Sequence, residues 1–273
     1  MNQHEKSESN KSAVPVNESR RELKRKRYET GDFGESYDSR YSSGLNELNT
    51  LVERRWIASH LKGNRILDAG AGTGRLSAYL AGQGFSVVAL DNSRPMLETL
   101  RRKVPVACAL RSDLYHLPLE KGVFDSAVCL HVFFHLTDWP VALAELARAV
   151  KPDGSVIFEM RSGEHVRLAK RILRLFGLRG PHRDESPEEL ATVYAGREEV
   201  RRAMDEAGLA LEKTLPYDLG HSYYLAPLAS KFEPLLERSV RLRNALAACE
   251  LSIGRFLPSS LAYRTLYLGR KTC

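Results

Sequence analysis

Cysteine is scarce in this chain of 273 residues, which contains only four, and no two of them are spaced as C-x-x-C. Paired cysteines at that spacing mark structural zinc sites and redox motifs, so neither is predicted. Cys108 and Cys129 fall inside segments that the sequence predicts to be buried strands. Reduced thiols are therefore expected.

Long hydrophobic runs are also absent. No apolar stretch has membrane-spanning length, and no hydrophobic segment near the amino terminus resembles a signal peptide. We therefore expect a cytoplasmic protein. Hydrophobic residues make up 43% and charged residues 27%, which is ordinary for a globular protein, so one α/β domain with insertions is expected.

The common metal-binding patterns are missing as well. His131 and His135 have the spacing of a zinc-binding pair, but the glutamate of H-E-x-x-H is absent and no third ligand is near them in the sequence. No metal is predicted.

The most informative stretch that is present runs from Arg65 to Leu76. An apolar segment is followed by three glycines in five residues, Gly70, Gly72 and Gly74, and then by a helical pattern. Glycines allow a tight turn and the close approach of a ligand to the backbone. The spacing differs from the G-x-G-x-x-G of dinucleotide sites, and the preceding Asp68 would repel a pyrophosphate. A cationic ligand is favoured, and S-adenosylmethionine carries both an ammonium and a sulfonium group.

Polar residues follow the ends of the next predicted strands. Asp91 ends the second strand about 20 residues after the glycine loop, where an acid binds a ribose diol, and Asn92 follows it. Asp113 and Leu114 come after the third strand. In an open parallel sheet, ligands bind outside the carboxyl ends of the strands, so these residues are predicted to share one site.

The pattern of strands and helices predicts the fold class. Strands are predicted at 65–69, 86–91, 106–110, 124–130, 155–160, 209–215 and 263–268, and helices at 45–61, 74–82, 94–103, 139–149 and 197–208. Such alternation indicates right-handed crossovers and a doubly wound α/β fold with a mostly parallel, seven-stranded sheet.

Residues 64–161 resemble the core of the class I S-adenosylmethionine-dependent methyltransferases, in the subgroup that includes quinone-biosynthesis and natural-product enzymes. Asp68 and the three glycines match the family's first motif, Asp91 matches its ribose acid, and Asp113 and Leu114 match its adenine-contacting pair. Asp153 stands where the family usually has glycine, and Asp is an acceptable turn residue. The resemblance also implies an antiparallel last strand.

The resemblance further suggests that Tyr37, together with Tyr41, folds over the cofactor. The alternative is that these aromatic residues only pack an amino-terminal helix against the domain. Residues 1–27 have no hydrophobic period and include six basic residues between Arg20 and Arg27, so they are predicted to be a disordered basic tail ahead of the domain at 28–273. Such a run can bind an anionic partner or can simply be solvated.

Two insertions interrupt the family pattern, at about 164–196 and 218–258, and both carry apolar residues at helical spacing with basic residues between them. They are predicted to cover the acceptor pocket. A basic amphipathic helix can also lie on a membrane surface, so a peripheral membrane contact is a second expectation. Packing of the apolar stripe on the domain itself is the third.

Three histidines are candidates for proton transfer to or from the methyl acceptor, namely His131, His135 and His221. The alternative for His135 is a purely structural role in its loop. The acceptor is expected to be a small, amphipathic molecule that is methylated on a phenolic, quinone-like or other natural-product hydroxyl or carbon. The residues after the fourth strand lack the Asn/Asp-Pro-Pro-Tyr/Phe motif of enzymes that methylate bases, which argues against nucleic acid, although the net charge is +7. An RNA or protein methyltransferase and a non-catalytic cofactor-binding subunit remain the alternatives.

Overall fold

The computed structural model describes residue 29 and residues 37–105, 107–175, 177, 192–221 and 226–272. The predicted basic tail and parts of both insertions lie outside the described residues. Seven strands and eight α-helices follow one another in the described part of the chain. The strands are β1 Arg65–Ala69, β2 Ser86–Asp91, β3 Cys108–Arg111, β4 Phe124–Cys129, β5 Val150–Arg161, β6 Leu209–Tyr217 and β7 Arg264–Lys271. The helices are α1 Gly44–His60, α2 Arg75–Gly82, α3 Arg94–Lys103, α4 Trp139–Ala149, α5 Gly163–Leu175, α6 Arg197–Glu206, α7 Ala226–Arg238 and α8 Val240–Gly254.

The strands form one sheet in the order β3-β2-β1-β4-β5-β7-β6. Strands β1 to β5 are all parallel to one another, whereas β7 is antiparallel to both β5 and β6. The predicted fold class and the antiparallel last strand are therefore confirmed. Parallel strands place their carboxyl ends at one edge, and this edge gathers the candidate site.

Helices cover both faces of the sheet because successive strand residues point to opposite sides. Leu67 belongs to a core that includes residues of α4 and α6, whereas its neighbour Ile66 belongs to a core that includes residues of α1, α2 and α8. Phe158 and Ile157 divide between the same two cores.

The segment between β6 and β7 contains two helices that contact α1. Gly44, the first residue of α1, has no room for a side chain, because a carbon added to it would lie 2.5 Å from Leu236 Cβ of α7. Glu233 Oε1 accepts a hydrogen bond from the Leu45 amide at 3.1 Å, and Arg243 of α8 forms an ion pair with Glu47 at 2.7 Å. The predicted helical character of this insertion is confirmed, and its attachment to α1 brings it to the site edge.

The structure differs from the sequence predictions at two strands. The turn residues 151–154 lie within β5, which begins at Val150, and they form an irregularity in which Asp153 has φ of 60°. The β4–β5 register shifts there, since Phe124 pairs with Val150 and Ser126 pairs with Ser155. Cys108 is exposed and not buried, because β3 is the edge strand of the sheet.

Phe158 is fully buried between Phe133 and Tyr267, with ring centroids 5.3 Å from each. Phe158→Ala is expected to lower the free energy of unfolding by about 3–5 kcal/mol, because it removes buried surface and leaves a cavity. Phe256, whose side chain is 76% exposed, is the matched control, and Phe256→Ala should change stability by less than about 0.5 kcal/mol. Urea unfolding followed by circular dichroism measures both, and equal effects would contradict this packing.

Candidate active site

The loop after β1 forms a cradle whose three glycines all have positive φ, at 76° for Gly70, 55° for Gly72 and 81° for Gly74. Two of them allow close packing. A carbon added to Gly70 would lie 2.3 Å from Val132 Cγ2, and one added to Gly74 would lie 2.7 Å from Leu100 Cγ. At Gly72 the same carbon would meet no atom within 4 Å. Gly72 is therefore the glycine of this loop that has open space beside its Cα.

Asp91 joins this loop to the end of β2. One carboxylate oxygen accepts the Gly72 amide at 2.8 Å and the other accepts the Ser93 amide at 2.8 Å. Burial raises the pKa of Asp91, and these amide donors oppose that rise. A carboxylate has about four acceptor positions, so Asp91 keeps capacity for the two hydroxyls of a ribose.

Asp68 lies at the base of the cleft, is buried, and accepts a hydrogen bond from Ser77 at 2.6 Å. Burial, assisted by the nearby Asp91 carboxylate, raises the pKa of Asp68 to about 6. A cation placed beside two buried carboxylates would relieve this unfavourable charge. The acid predicted to attract the cationic part of the ligand thus lines the cleft, together with Gly70 and Gly72.

The remaining predicted cofactor residues follow β2 and β3. Asn92 is exposed, and its carbonyl accepts a hydrogen bond from Arg111 at 2.8 Å. Asp113 is exposed two residues after β3, where its carboxylate accepts the Tyr115 amide at 3.0 Å, and Leu114 is buried. Like Asp91, these three residues do not line the cleft that contains Gly72, but Asp91 is joined to that cleft by its hydrogen bond to the Gly72 amide. Because β3 lies next to β2 in the sheet, these three residues lie along the same sheet edge but farther from the cleft.

The segment Asp38–Tyr41 forms a 3-10 turn that is tied to the glycine loop. Thr73 Oγ1 donates a hydrogen bond to Asp38 at 2.5 Å, and Lys103 forms an ion pair with the same carboxylate. The Arg75 guanidinium lies 3.4 Å from the centre of the Tyr41 ring. Tyr37, whose hydroxyl is 3.0 Å from that of Tyr41, lines the cleft. The two tyrosines therefore lie where the resemblance implies a lid.

His131 lies just after β4 in a left-handed conformation with φ of 59° and also lines the cleft. Its Nε2 is 3.0 Å from Glu53 Oε1 on α1, and its Nδ1 is 2.9 Å from Arg264 Nη1 on β7. Burial would raise the pKa of Glu53, but His131 and Arg264 overcome it and lower that pKa. The His131 ring thus lies between the Glu53 carboxylate and the Arg264 guanidinium.

Glu159 on β5 adds a second acid beside this histidine. It is completely buried, its Oε2 is 3.6 Å from His131 Nδ1, and neither oxygen has a hydrogen-bond partner among the described residues. Burying an ionised carboxylate without hydrogen bonds costs free energy, so nearby positive charge must offset that cost at Glu159.

A second histidine lies at the end of β6. Asp218, with a φ of 66°, is buried, and its two oxygens lie 2.6 Å from His221 Nδ1 and 2.8 Å from Arg264 Nε. Burial opposes ionisation of Asp218, but Arg264 and then His221 lower its pKa to about 2. Glu250 of α8 accepts the Asp218 and Leu219 amides at 2.7 and 3.2 Å. The carboxylate that holds His221 is therefore ionised and fixed.

His135, the third predicted histidine, ends the 3-10 turn Phe133–His135, where its ring centre is 4.0 Å from that of Phe134. It does not line the cleft that contains His131. Among the described residues, no group of three or more histidines, cysteines or acids is arranged to hold a metal ion.

Sequence reasoning missed most of the acidic and basic residues behind His131. Glu53 and Asn49 occupy positions on the buried face of α1 that are otherwise apolar, next to Val52 and Trp56. Polar residues spaced four apart on an apolar face were a usable signal. Arg264 and Asp218 gave no comparable signal, because they meet only when β6 and β7 lie side by side.

The arrangement fits a ligand with a ribose and a cationic end. Asp91 and Gly72 provide an acceptor and an open backbone for the ribose, and Asp68 provides negative charge deeper in the cleft. Beyond β1, the edge formed by β4, β5, β7 and β6 carries ionisable side chains that suit proton transfer to or from a second molecule.

Comparison with known proteins supports this interpretation. A family model described as a methyltransferase domain matches residues 67–158. An uncharacterised methyltransferase of Mycobacterium bovis is 34% identical over 134 residues, which cover 47% of this chain and 54% of that protein. Malonyl-[acyl-carrier protein] O-methyltransferase of Salmonella typhimurium is 36% identical over 124 residues, which cover 45% of this chain and 47% of that protein. The chain thus spans about half the length of these curated relatives.

A solved structure gives the same fold. Magnesium protoporphyrin IX methyltransferase from Synechocystis, in complex with S-adenosylhomocysteine, has a TM-score of 0.57 at 16% identity, covering 93% of this chain and 100% of that chain. Residues 67–158 of this chain thus match a methyltransferase domain, and the chain shares the fold of that solved methyltransferase structure.

Proposed function

We propose that this protein binds S-adenosylmethionine in the cleft beside Gly72 and transfers its methyl group to a small acceptor. The observation that carries the proposal is the Asp91 carboxylate, which accepts the Gly72 and Ser93 amides beside a glycine loop that has open space at Gly72. When bound, the cofactor would supply an electrophilic methyl group on sulfur. Asp68 would hold its cationic end, and the Tyr37–Tyr41 turn would cover it.

A small acceptor is favoured over nucleic acid. The edge next to the cleft carries the buried acids Glu53 and Glu159, and carboxylates repel the phosphates of a nucleic acid. The comparison protein from Salmonella typhimurium is named for O-methylation of an acyl-carrier-protein substrate, which agrees with an oxygen acceptor. We therefore propose an amphipathic hydroxyl compound, phenolic or enolic, as the substrate class.

The nucleic-acid alternative makes a different prediction for binding. Contacts to phosphates cause affinity to fall steeply with salt. Binding of RNA or DNA that is tight, salt-sensitive and retained after removal of residues 1–27 would favour that alternative over a small acceptor. A labelled methyl group from the cofactor, traced in a metabolite extract, would identify the acceptor.

Asp91→Ala should weaken S-adenosylhomocysteine binding by about 1.5–3 kcal/mol, because charge-assisted hydrogen bonds to the ribose are lost. Isothermal titration calorimetry measures the affinity of the wild type and the variant. Asp205, an exposed acid of α6 with a partner 4.0 Å away, is the control, and Asp205→Ala should bind normally. Absence of binding by the wild type, or equal affinity of the Asp91 variant, would refute the proposed site.

Asp68 should make cofactor affinity depend on pH. Its pKa is about 6 in the ligand-free protein, and a cationic ligand binds the ionised form. Affinity should therefore be constant above that pKa and fall about tenfold for each unit of pH below it. Calorimetry between about pH 5 and 8 tests this, and Asp68→Asn should bind more weakly but with a flatter profile. A wild-type profile that is already flat would contradict the role of Asp68.

The predicted membrane contact remains a proposal, which the surface of α7 supports. Leu228, Phe232 and Leu235 are each more than half exposed on one side of this helix, and the exposed Lys231 and Arg238 flank them. Apolar side chains flanked by basic ones complement an anionic lipid surface. In the described part of the chain, no helix is long and apolar enough to span a bilayer.

The double variant Phe232→Ser with Leu235→Ser should lose binding to vesicles that contain anionic lipid, because it removes apolar side chains that would enter the headgroup region. Flotation of the protein with anionic and neutral vesicles measures this. Val141→Ser, at a 48% exposed position of α4, is the control and should float like the wild type. Equal flotation of the double variant, or self-association of the wild type without vesicle binding, would contradict a lipid partner.

A further inference from the structure

The histidines at the acceptor edge differ in which ring nitrogen can accept a proton. His131 has a charged group beside each nitrogen, because Nδ1 lies 2.9 Å from Arg264 Nη1, which donates to it, and Nε2 lies at an ion-pair distance of 3.0 Å from Glu53 Oε1. A guanidinium can only donate, so Nδ1 must be the acceptor and Nε2 must carry the hydrogen. In this arrangement His131 has no lone pair left for an acceptor molecule.

His221 has the opposite arrangement. Its Nδ1 is 2.6 Å from Asp218 Oδ1, an oxygen that also accepts a hydrogen bond from Asn49 Nδ2 at 2.7 Å. The other oxygen of Asp218 lies 2.8 Å from Arg264 Nε. A carboxylate surrounded by donors is ionised and accepts, so Nδ1 of His221 carries the hydrogen and the lone pair is on Nε2.

The side chain of His221 is also partly exposed. The side chain is 27% exposed, and among the described residues Nε2 has no hydrogen-bond partner. Asp218, by contrast, is completely buried, and its amide is fixed by Glu250 Oε1 at 2.7 Å. A rigid carboxylate that orients an accessible imidazole is the arrangement that general-base histidines require.

The sheet order places this pair on the acceptor side. The proposed cofactor residues lie at the ends of β1, β2 and β3, which form one half of the sheet. His221 follows β6 on the other half. It does not itself line the cleft, but it contacts Asn49 of α1, a helix whose residues Thr50 and Glu53 do line it. Arg264 connects Asp218 to His131, which lines the same cleft.

We propose that His221 is the general base for the methyl acceptor, that Asp218 is its positioning residue, and that the acceptor is therefore a hydroxyl compound that must lose a proton, such as a phenol or an enol. This inference rests on the proposed methyl transfer. Nε2 takes the hydroxyl proton as the oxygen lone pair forms the new O–C bond. The electron pair of the broken S–C bond returns to sulfur, which becomes a neutral thioether, and the imidazolium releases its proton to solvent.

The tautomer can be tested without any acceptor. Nitrogen-15 NMR of the full-length protein should show His221 with a protonated Nδ1 and an unprotonated Nε2 near neutral pH. In Asp218→Asn, the side-chain amide can donate to Nδ1, and the signal should shift toward the other tautomer. A wild-type His221 protonated on Nε2 alone would overturn the proposal.

The catalytic part is tested with two phenols of similar size and the labelled cofactor. At about pH 8, 4-methylphenol is almost fully protonated, because phenols of this kind have a pKa near 10, whereas 4-nitrophenol is largely ionised. His221→Gln should lower kcat/KM for 4-methylphenol by about 100- to 10,000-fold and should change that for 4-nitrophenol much less. Added imidazole should restore turnover of 4-methylphenol in His221→Ala.

His60 is the matched control, since it ends α1 at the opposite edge of the sheet and contacts Lys213, and His60→Gln should keep wild-type turnover of both phenols. Equal loss with both phenols, no loss with either, or transfer of label only to nitrogen would overturn the proposal. A wild type that binds S-adenosylmethionine but methylates neither phenol would overturn it as well. A wild type that does not bind the cofactor would instead refute the proposed function.

Discussion

The ion pairs of the buried Arg264 guanidinium are the interactions on which the proposed acceptor half of the site depends. Burial opposes its charge, but Asp218 and the other acids around it raise the pKa of Arg264 well above its usual value. Its nitrogens lie 2.8 Å from Asp218 and 3.8 Å from Glu53. Since removal of one partner from a buried ion pair costs about 3–5 kcal/mol, this cation allows several acids to share the end of the sheet.

The fixed position of Arg264 also determines what each histidine can do. Its Nη1 donates a hydrogen bond to Nδ1 of His131, so that lone pair is no longer available. Its Nε forms an ion pair with Asp218, the carboxylate beside His221. β7 is antiparallel to β5 and β6, so its first residue, Arg264, lies at the edge where the parallel strands end. The antiparallel strand thereby brings a cation to an edge that is otherwise occupied by acids.

We therefore propose that the two halves of the sheet have different tasks. The β1–β3 half presents backbone amides, glycines and the acids Asp68 and Asp91, and these suit a cofactor that many acceptors can share. The β4–β7 half, together with α1, α7 and α8, carries side chains specific to this chain. Differences among acceptors are expected to depend on that half, because the fold itself does not determine the substrate.

The strands and the glycine loop of the β1–β3 half were largely predictable from the sequence, whereas the cluster around Arg264 was not. Strand periodicity, the glycine spacing and Asp91 are local signals, and the structure has the corresponding strands within a few residues of their predicted bounds. The roles of the individual glycines could not be read from the sequence, because only tertiary contacts with Val132 and Leu100 show that Gly70 and Gly74 allow close packing.

The cluster around Arg264 combines residues from α1, β4, β5, β6 and β7, so no spacing in the sequence could reveal it. The same holds for the distinction between His131 and His221. Both are single histidines after a predicted strand, and only the partners of their ring nitrogens separate them.

A crystal structure of the protein with S-adenosylhomocysteine tests the central claim most directly, since that claim concerns where the cofactor binds. The account predicts that both ribose hydroxyls lie within hydrogen-bonding distance of Asp91 and that the ligand passes over the backbone of Gly72. A ligand bound elsewhere, or a ribose that makes no contact with Asp91, would contradict it.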